Sequence, residues 1–262
     1  MIALWKNNRY LLWQLTKKEI QQRYQGSVLG MLWTILVPVL MLVIYTFVFS
    51  EVFQAKWDVD TSNPYEFALT LFCGLCAFNM VSEVMNRSTN LIAGNVNYVK
   101  KVIFPLELLP VTVTLSALFH CVVSFLILIL GNAAVHHKLS ATLYQSVVVF
   151  VPLALISAGT SYLLSAVSVY LKDVGNVVNV LVTVLMYMSP VFFPLASVPE
   201  KYRGICMANP MTYVIENFRN TMLYGKNINA GFLMISIAAA ALVYAAGYVV
   251  FMRVKEGFAD VL

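Results

Sequence analysis

Met31-Leu-Trp33-Thr-Ile-Leu-Val-Pro38-Val-Leu-Met-Leu-Val-Ile-Tyr45-Thr-Phe-Val-Phe49 carries no charged side chain, and the uncharged stretch around it runs from Gln25 to Ser50. At about 1.5 Å per residue, a helix over 31–49 is long enough to span a hydrocarbon core of about 30 Å. Five more apolar runs follow, over residues 67–81, 108–135, 143–171, 177–193 and 230–252. Together they predict an all-α integral membrane protein with six transmembrane helices, since a helix satisfies its own backbone where no water can. The second run is the weakest, being short and flanked by Glu66 and Glu83.

Composition agrees. Of 262 residues, 60% are apolar and 11% charged, against about a quarter charged in an ordinary soluble domain. The net charge of +5 does not point to nucleic acid, because the basic residues are scattered between long uncharged runs. The chain opens with Trp5, Lys6, Arg9, Lys17, Lys18 and Arg23 and has no small-residue cleavage site after a short apolar segment, so the first span is expected to stay.

Lysine and arginine are retained on the cytoplasmic side, which predicts cytoplasmic N and C termini. The cytoplasmic set is then Lys6, Arg9, Lys17, Lys18, Arg23, Arg87, Lys100, Lys101, Lys172, Arg253 and Lys255. Lys56, Lys138, Lys201, Arg203, Arg219 and Lys226 fall outside, with Glu51, Asp58 and Asp60 in the first external loop.

Residues 1–30 form an amphipathic interfacial helix and a bend, ahead of a single six-span transmembrane domain over 31–262. Leu4, Leu11, Leu12 and Leu15 recur at helical spacing opposite Lys6, Arg9, Gln14, Lys17 and Lys18, with Trp5, Tyr10 and Trp13 at headgroup level. Glu19 lies four residues before Arg23, the favourable order for an ion pair. The segment 194–230 is uncharged from Gly204 to Ile215, too short to cross, and broken by Pro194, Pro199 and Pro210. It reads as two short helices re-entering the outer leaflet, the alternative being an exposed hairpin on the outer face.

Familiar catalytic signatures, including a phosphate-binding G-x-x-x-x-G-K-[ST] loop, are missing. His136 and His137 beside Lys138 lack ligands at metal spacing and read as solvated loop residues. His120 sits within the third span and is expected to face other helices or a cavity. Glu83 and Glu107 fall near cytoplasmic ends of spans, so neither requires a transport role. Cys73 and Cys76 form a C-x-x-C inside an apolar run, where packing is the favoured reading and a membrane thiol oxidoreductase the competing one.

The run Lys18-Glu-Ile-Gln-Gln-Arg23-Tyr24-Gln-Gly26-Ser27-Val-Leu29-Gly30-Met-Leu-Trp33, closed by Pro38, resembles the permease subunits of bacterial ABC exporters of surface polysaccharide. These are the Wzm-like type-2 ABC permeases, which export O-antigen, capsule or teichoic acid. Tyr98-Val-Lys100-Lys101-Val-Ile-Phe104-Pro105-Leu-Glu107, Tyr170-Leu-Lys172-Asp173-Val, and Ser189-Pro190-Val-Phe-Phe-Pro194 with Asn209-Pro210-Met agree in order and spacing. Many relatives have Arg where this chain has Lys172, which keeps the charge but not the bidentate fork.

The resemblance implies a multi-pass protein of the bacterial inner membrane, working as a homodimer with a channel between the copies. Two copies of an ABC ATPase subunit would carry ATP and Mg, so this chain is expected to be no enzyme and to bind no cofactor. The implied cargo is a polysaccharide on a polyprenyl diphosphate. Lys17, Lys18 and Arg23, with Leu29 and Gly30 at the bend, are the diphosphate candidates, although each charge could instead serve anionic lipid. Trp33, Tyr45, Phe49, Tyr187, Phe192, Phe193 and Tyr213 are the channel-lining candidates, the alternative being core or interfacial belt. Tyr98, Lys100, Lys101 and Pro105, in a gate or coupling segment over 86–105, and Lys172 and Asp173 are the candidates for coupling to the ATPase.

Overall fold

The computed structural model describes residues 2–54, 57, 65–100, 104–137 and 139–262, with side chains from residue 8 onward. Lys56, Asp58, Asp60, Lys101, Lys138 and the side chains of Leu4, Trp5 and Lys6 therefore lie outside the described residues. Every regular element described is helical: α1 (Ile2–Gln22), α2 (Trp33–Tyr45), α3 (Glu66–Ser88), α4 (Val96–Val99), α5 (Leu108–His136), α6 (Ser146–Tyr170), α7 (Val174–Met188), α8 (Glu200–Ala208), α9 (Pro210–Met222), α10 (Ala230–Val254) and α11 (Phe258–Val261).

Among the described residues five stretches are long and apolar enough to cross a membrane: Gly30–Val52, Glu66–Ser88, Leu108–His136, Leu143–Tyr170 and Ala230–Val261. Where the fifth of the six crossings is expected, α7 is a shorter apolar helix, and at about 1.5 Å per residue it falls short of the hydrocarbon thickness. Ser189, Pro190 and Val191 end it, because proline cannot continue the hydrogen-bond ladder.

The second run, weakest in sequence, is the centre of the bundle. Its helix α3 packs on α5, α6, α9 and α2, and its middle from Ala68 to Phe78 is buried throughout. Flanking charge made it look poor, yet Glu83 and Arg87 are paired four residues apart within it, at 3.1 Å. Opposite charges that satisfy each other need not shorten a helix.

The tightest contact joins α6 and α10. A Cβ on Gly247 would run into the carbonyl of Gly159, and one on Gly159 would lie 2.6 Å from the Tyr244 backbone, so only glycine allows this approach. Tyr162 fills the space beside it, edge-on to Tyr244, Tyr248 and Phe251, with its hydroxyl donating to the Glu107 carbonyl at 2.9 Å.

The first span is not one regular helix. A 3₁₀ turn (Gly30–Leu32) leads into α2, and a π-helical stretch (Thr46–Val52) follows it, closed by Phe53 N–H to the Val48 carbonyl at 2.9 Å. Thr34 is the one buried residue of α2, as Val178 is of α7. The faces these helices turn outward are large and apolar, including Val43, Ile44, Val177 and Val180.

The proline-broken segment does hold two short helices, unlike in character. Helix α8 is largely exposed. Helix α9 is inserted among α3, α6 and α10 and is buried over most of its length. Asn209 makes the break: its side-chain oxygen caps α9 by accepting from Met211 N–H at 2.9 Å, and its amide donates to Ser189 Oγ at 2.8 Å. Pro210 follows at the first helical position, where its missing N–H does no harm.

Candidate functional site

Helix α1 stops at Gln22, and the chain then turns through Gly26 (φ +84°) and Gly30 (φ +50°), left-handed conformations that favour glycine. Trp33 Nε1 donates to Ser27 Oγ at 2.9 Å and pins the turn against α2. The bend thus includes Leu29 and Gly30, with Gly26 as a second pivot.

This turn delivers Arg23 to a cluster of charges between α1, α3 and α5. Arg23 Nη1 donates to Glu83 Oε1 at 2.5 Å and lies 3.0 Å from His120 Nδ1. His120 Nδ1 also lies 3.7 Å from Glu83 Oε1, so all three side chains meet at this carboxylate. Glu83 Oε1 also accepts from Arg87 Nη1, and Arg87 Nη2 reaches Glu19. The expected Glu19–Arg23 pair therefore does not form: the helix ends before Arg23, the register is lost, and each side chain finds a partner on α3 instead.

Above the cluster lies a crevice of about 190 Å³ between α2, α3 and α5. Arg23, Tyr24 and Trp33 line it with Tyr45, Asn79 and Ser124. Thr34 Oγ1 and His120 Nε2 beside it have no hydrogen-bond partner among the described residues. Buried polar atoms without a partner are unusual in an apolar bundle.

Residues 10–223 match the family model described as ABC-2 type transporter. The chain belongs to that family.

This ABC-2 transporter is similar along almost its whole length to the O-antigen export system permease protein RfbA of Myxococcus xanthus. The two are 29% identical over 255 residues, 96% of this chain and 95% of the relative. The protein of the same name from Klebsiella pneumoniae is 25% identical over 254 residues, again 96% and 95% of the two chains. The polysialic acid transport protein KpsM of Escherichia coli is 26% identical over 211 residues, 79% of each chain. The resemblance carried by the Lys18–Trp33 run and its companion segments is borne out, and the chain is a multi-pass membrane protein of the Wzm-like, type-2 ABC permease kind.

The remaining candidates are distributed unevenly. Lys17 is exposed on α1, while Lys18 Nζ lies 3.5 Å from the Tyr98 hydroxyl and 5.9 Å from its ring centre. Tyr98 stacks on Phe104 at 4.4 Å, and Pro105 accepts from Leu108 N–H at the start of α5. Lys18 thereby ties α1 to the segment around Tyr98 and Pro105, where Lys100 is exposed. Lys172 and Asp173 form the exposed turn between α6 and α7. Beside it Tyr170 donates to the Val254 carbonyl at 3.0 Å, and Lys255 lies 3.6 Å from Glu107.

Among the aromatics, Trp33 and Tyr45 face the crevice, and Phe49 continues from Tyr45 toward Phe67 at 5.1 Å. Tyr187 is exposed and stacks on Phe192 at 5.9 Å, while Phe193 is half-buried. Tyr213 is enclosed, its hydroxyl donating to the Met207 carbonyl at 2.7 Å and its ring edge-on to Phe232, so it offers no face to a passing chain.

Sequence reasoning passed over Glu83 as a span-end charge, although an ionisable triad of Glu83, Arg87 and His120 in two apolar runs was the signal. It also counted Arg219 only as one of the external basic residues. Arg219 is instead fully buried on α9, donating to the carbonyls of Thr70 (3.3 Å) and Val191 (3.0 Å) and to Glu216 (2.9 Å), with Trp57 stacked over it at 4.4 Å. Its sign in the sequence was helical: Glu216 sits three residues before it on the same face.

Proposed function

We propose that this chain is the membrane permease of an ATP-driven exporter that carries a polyprenyl-diphosphate-linked polysaccharide, of the O-antigen kind, across the bacterial inner membrane. The observation that carries the reading is likeness over 96% of the chain to permeases named for O-antigen export. The match to a polysialic acid transport protein favours capsule export as the second reading, by the same mechanism; teichoic acid is the other cargo of this kind.

In this reading the end of the bundle that holds α1, Glu107 and Lys255 faces the cytoplasm, with both termini. Helix α7 and the residues to Phe193 make the fifth of six crossings, and α8 and α9 re-enter from the outer face. Two copies of the chain meet along the apolar faces of α2 and α7 and enclose a channel. Two ATPase subunits, which bind ATP and Mg, dock below on the segment around Tyr98 to Pro105 and on the Lys172–Asp173 turn.

The diphosphate arrives at the bend. Arg23 is 43% exposed, and only its Nη1 is committed to Glu83 and His120. The rest of the guanidinium, with Lys17 and Lys18 on the same helix, offers charge-assisted donors to phosphate oxygens. The sugars behind it slide on aromatic faces such as Trp33, Tyr45 and Phe49, which hold by stacking without fixing one register. Cys73 and Cys76 are buried among packed side chains, which supports their reading as packing residues.

The test is complementation of a deletion strain, with surface polysaccharide stained on cells. The wild-type gene restores the surface polymer, and Arg23→Ala reduces it while the purified protein remains dimeric and co-purifies with the ATPase. Full export by Arg23→Ala would remove Arg23 from the headgroup role. Loss of all function on changing Cys73 and Cys76 to serine would favour the thiol oxidoreductase instead.

A further inference from the structure

At the opposite end of α3 from Glu83 lies a second, larger cleft, of about 890 Å³. It opens between the start of α3, the end of α5, the end of α9 and the turn at 194–197. That volume is within the range of about 300–1,000 Å³ usual for ligand sites. Neither the diphosphate nor the coupling role uses it.

Its lining is a built polar surface. Asn132 is buried, its amide nitrogen donates to the Met222 carbonyl at 3.5 Å, and its Oδ1 has no partner among the described residues. Such an acceptor is relieved by a donor from a guest or from water. Glu216 presents a carboxylate whose Oε1 is held by the buried Arg219, so its position is fixed from below. Trp57 and Tyr224 contribute aromatic rings. Burial pushes the Tyr224 hydroxyl up to about 12, so it remains a protonated donor.

The charges decide the ligand class. Among the described residues, the negative Glu66 and Glu216 in the lining are offset by the positive Lys226 in the lining and by Arg219 beneath it, with the imidazole of His136 also in the lining. A balanced site has no field to gather phosphate or a polyanion. Carboxylate and amide acceptors beside aromatic rings suit a guest with many hydroxyl groups and apolar ring faces.

We infer that this outer cleft is a binding site for a stretch of neutral saccharide, a station on the far side of the bundle from the diphosphate. The inference rests on the export reading only in that the cargo is a polysaccharide. A station on a conduction path must release what it holds, so the expected Kd is weak, on the order of 1–10 mM.

The test uses the full chain with its ATPase partner in nanodiscs, titrated with mannotriose, maltotriose and, separately, sodium pyrophosphate, and followed by saturation-transfer NMR for the sugars and ³¹P line width for pyrophosphate. At least one trisaccharide binds saturably, pyrophosphate does not bind at the cleft, and Asn132→Leu and Asn220→Ala each weaken the sugar by about tenfold or more. Asn220 lines the same cleft and is half-buried, so its variant serves if Asn132→Leu fails to fold. Absence of saturable sugar binding to the wild type, unchanged affinity in a folded variant, or pyrophosphate binding that these substitutions abolish overturns the site. Staining of surface polysaccharide keeps the two readings apart: export without sugar binding sinks this inference alone, whereas a wild-type gene that restores no polymer sinks the export reading.

Discussion

Replacing Glu83 with glutamine keeps the side chain's shape and removes the charge on which Arg23, Arg87 and His120 converge. Glu83 is 19% exposed, Arg87 28% and Arg23 43%, so the two ion pairs are not equivalent. A fully buried pair broken from one side costs about 3–5 kcal/mol, and an exposed pair about 0.2–1 kcal/mol. Arg23 belongs near the lower figure and Arg87 between the two, which gives about 1–3 kcal/mol for the substitution. Helix α1 is held to α3 through this cluster and through Glu19 on Arg87, so a loss of this size on its docking lowers the docking equilibrium constant roughly 5- to 150-fold. Hydrogen exchange in nanodiscs reads this directly: amides over 8–22 exchange faster, while those of α3 and α5 keep their protection. Adding Arg23→Gln recovers part of the protection, since it leaves one cation, Arg87, opposite one anion, Glu19. Unchanged exchange over 8–22, or an equal rise through α3 and α5, would refute the reasoning.

Two further outcomes follow from packing and capping. Gly247→Ala forces a methyl group against the Gly159 carbonyl and should destabilise the chain by about 1–3 kcal/mol; thermal unfolding in detergent checks it, and an unaltered midpoint would mean that α6 and α10 part without strain. Asn209→Ala removes both the cap on α9 and the bond to Ser189, about 1–2 kcal/mol, and should raise exchange at the first turn of α9 while leaving α10 unaffected.

The spans were legible wherever an apolar run was long and unbroken, as over 31–49 and 108–135, because hydrocarbon imposes its requirement one residue at a time. Pairing was not legible, since it depends on which helices meet. Glu66 and Glu83 weakened the second run on paper, yet in the bundle Glu83 pairs with Arg87 on its own helix and with Arg23 beyond α1. Glu19 and Arg23 had ideal helical spacing, but the helix ended one residue too soon. Arg219 in an outer segment looks solvated until α9 is seen inserted between α3 and α10. Of the aromatic candidates, only neighbours could tell Tyr45 beside a crevice from Tyr213 locked to a carbonyl. The two short helices after Pro194 were foreseeable from the prolines, whereas the burial of one and the exposure of the other followed from Asn209 directing the chain inward.

The glycine contact between α6 and α10 also decides which parts of the molecule have freedom to shift. Two helices whose backbones touch cannot slide without lifting apart; α3 and α9 pack against this pair, and Arg219 on α9 holds the Thr70 carbonyl of α3. That body behaves as a stator. Helices α2 and α7, with one buried residue apiece, rest on it like loosely seated staves. In the proposed dimer, movement that widens or narrows the channel belongs to these thinly anchored flanks, and the deep core supplies the surface they move against.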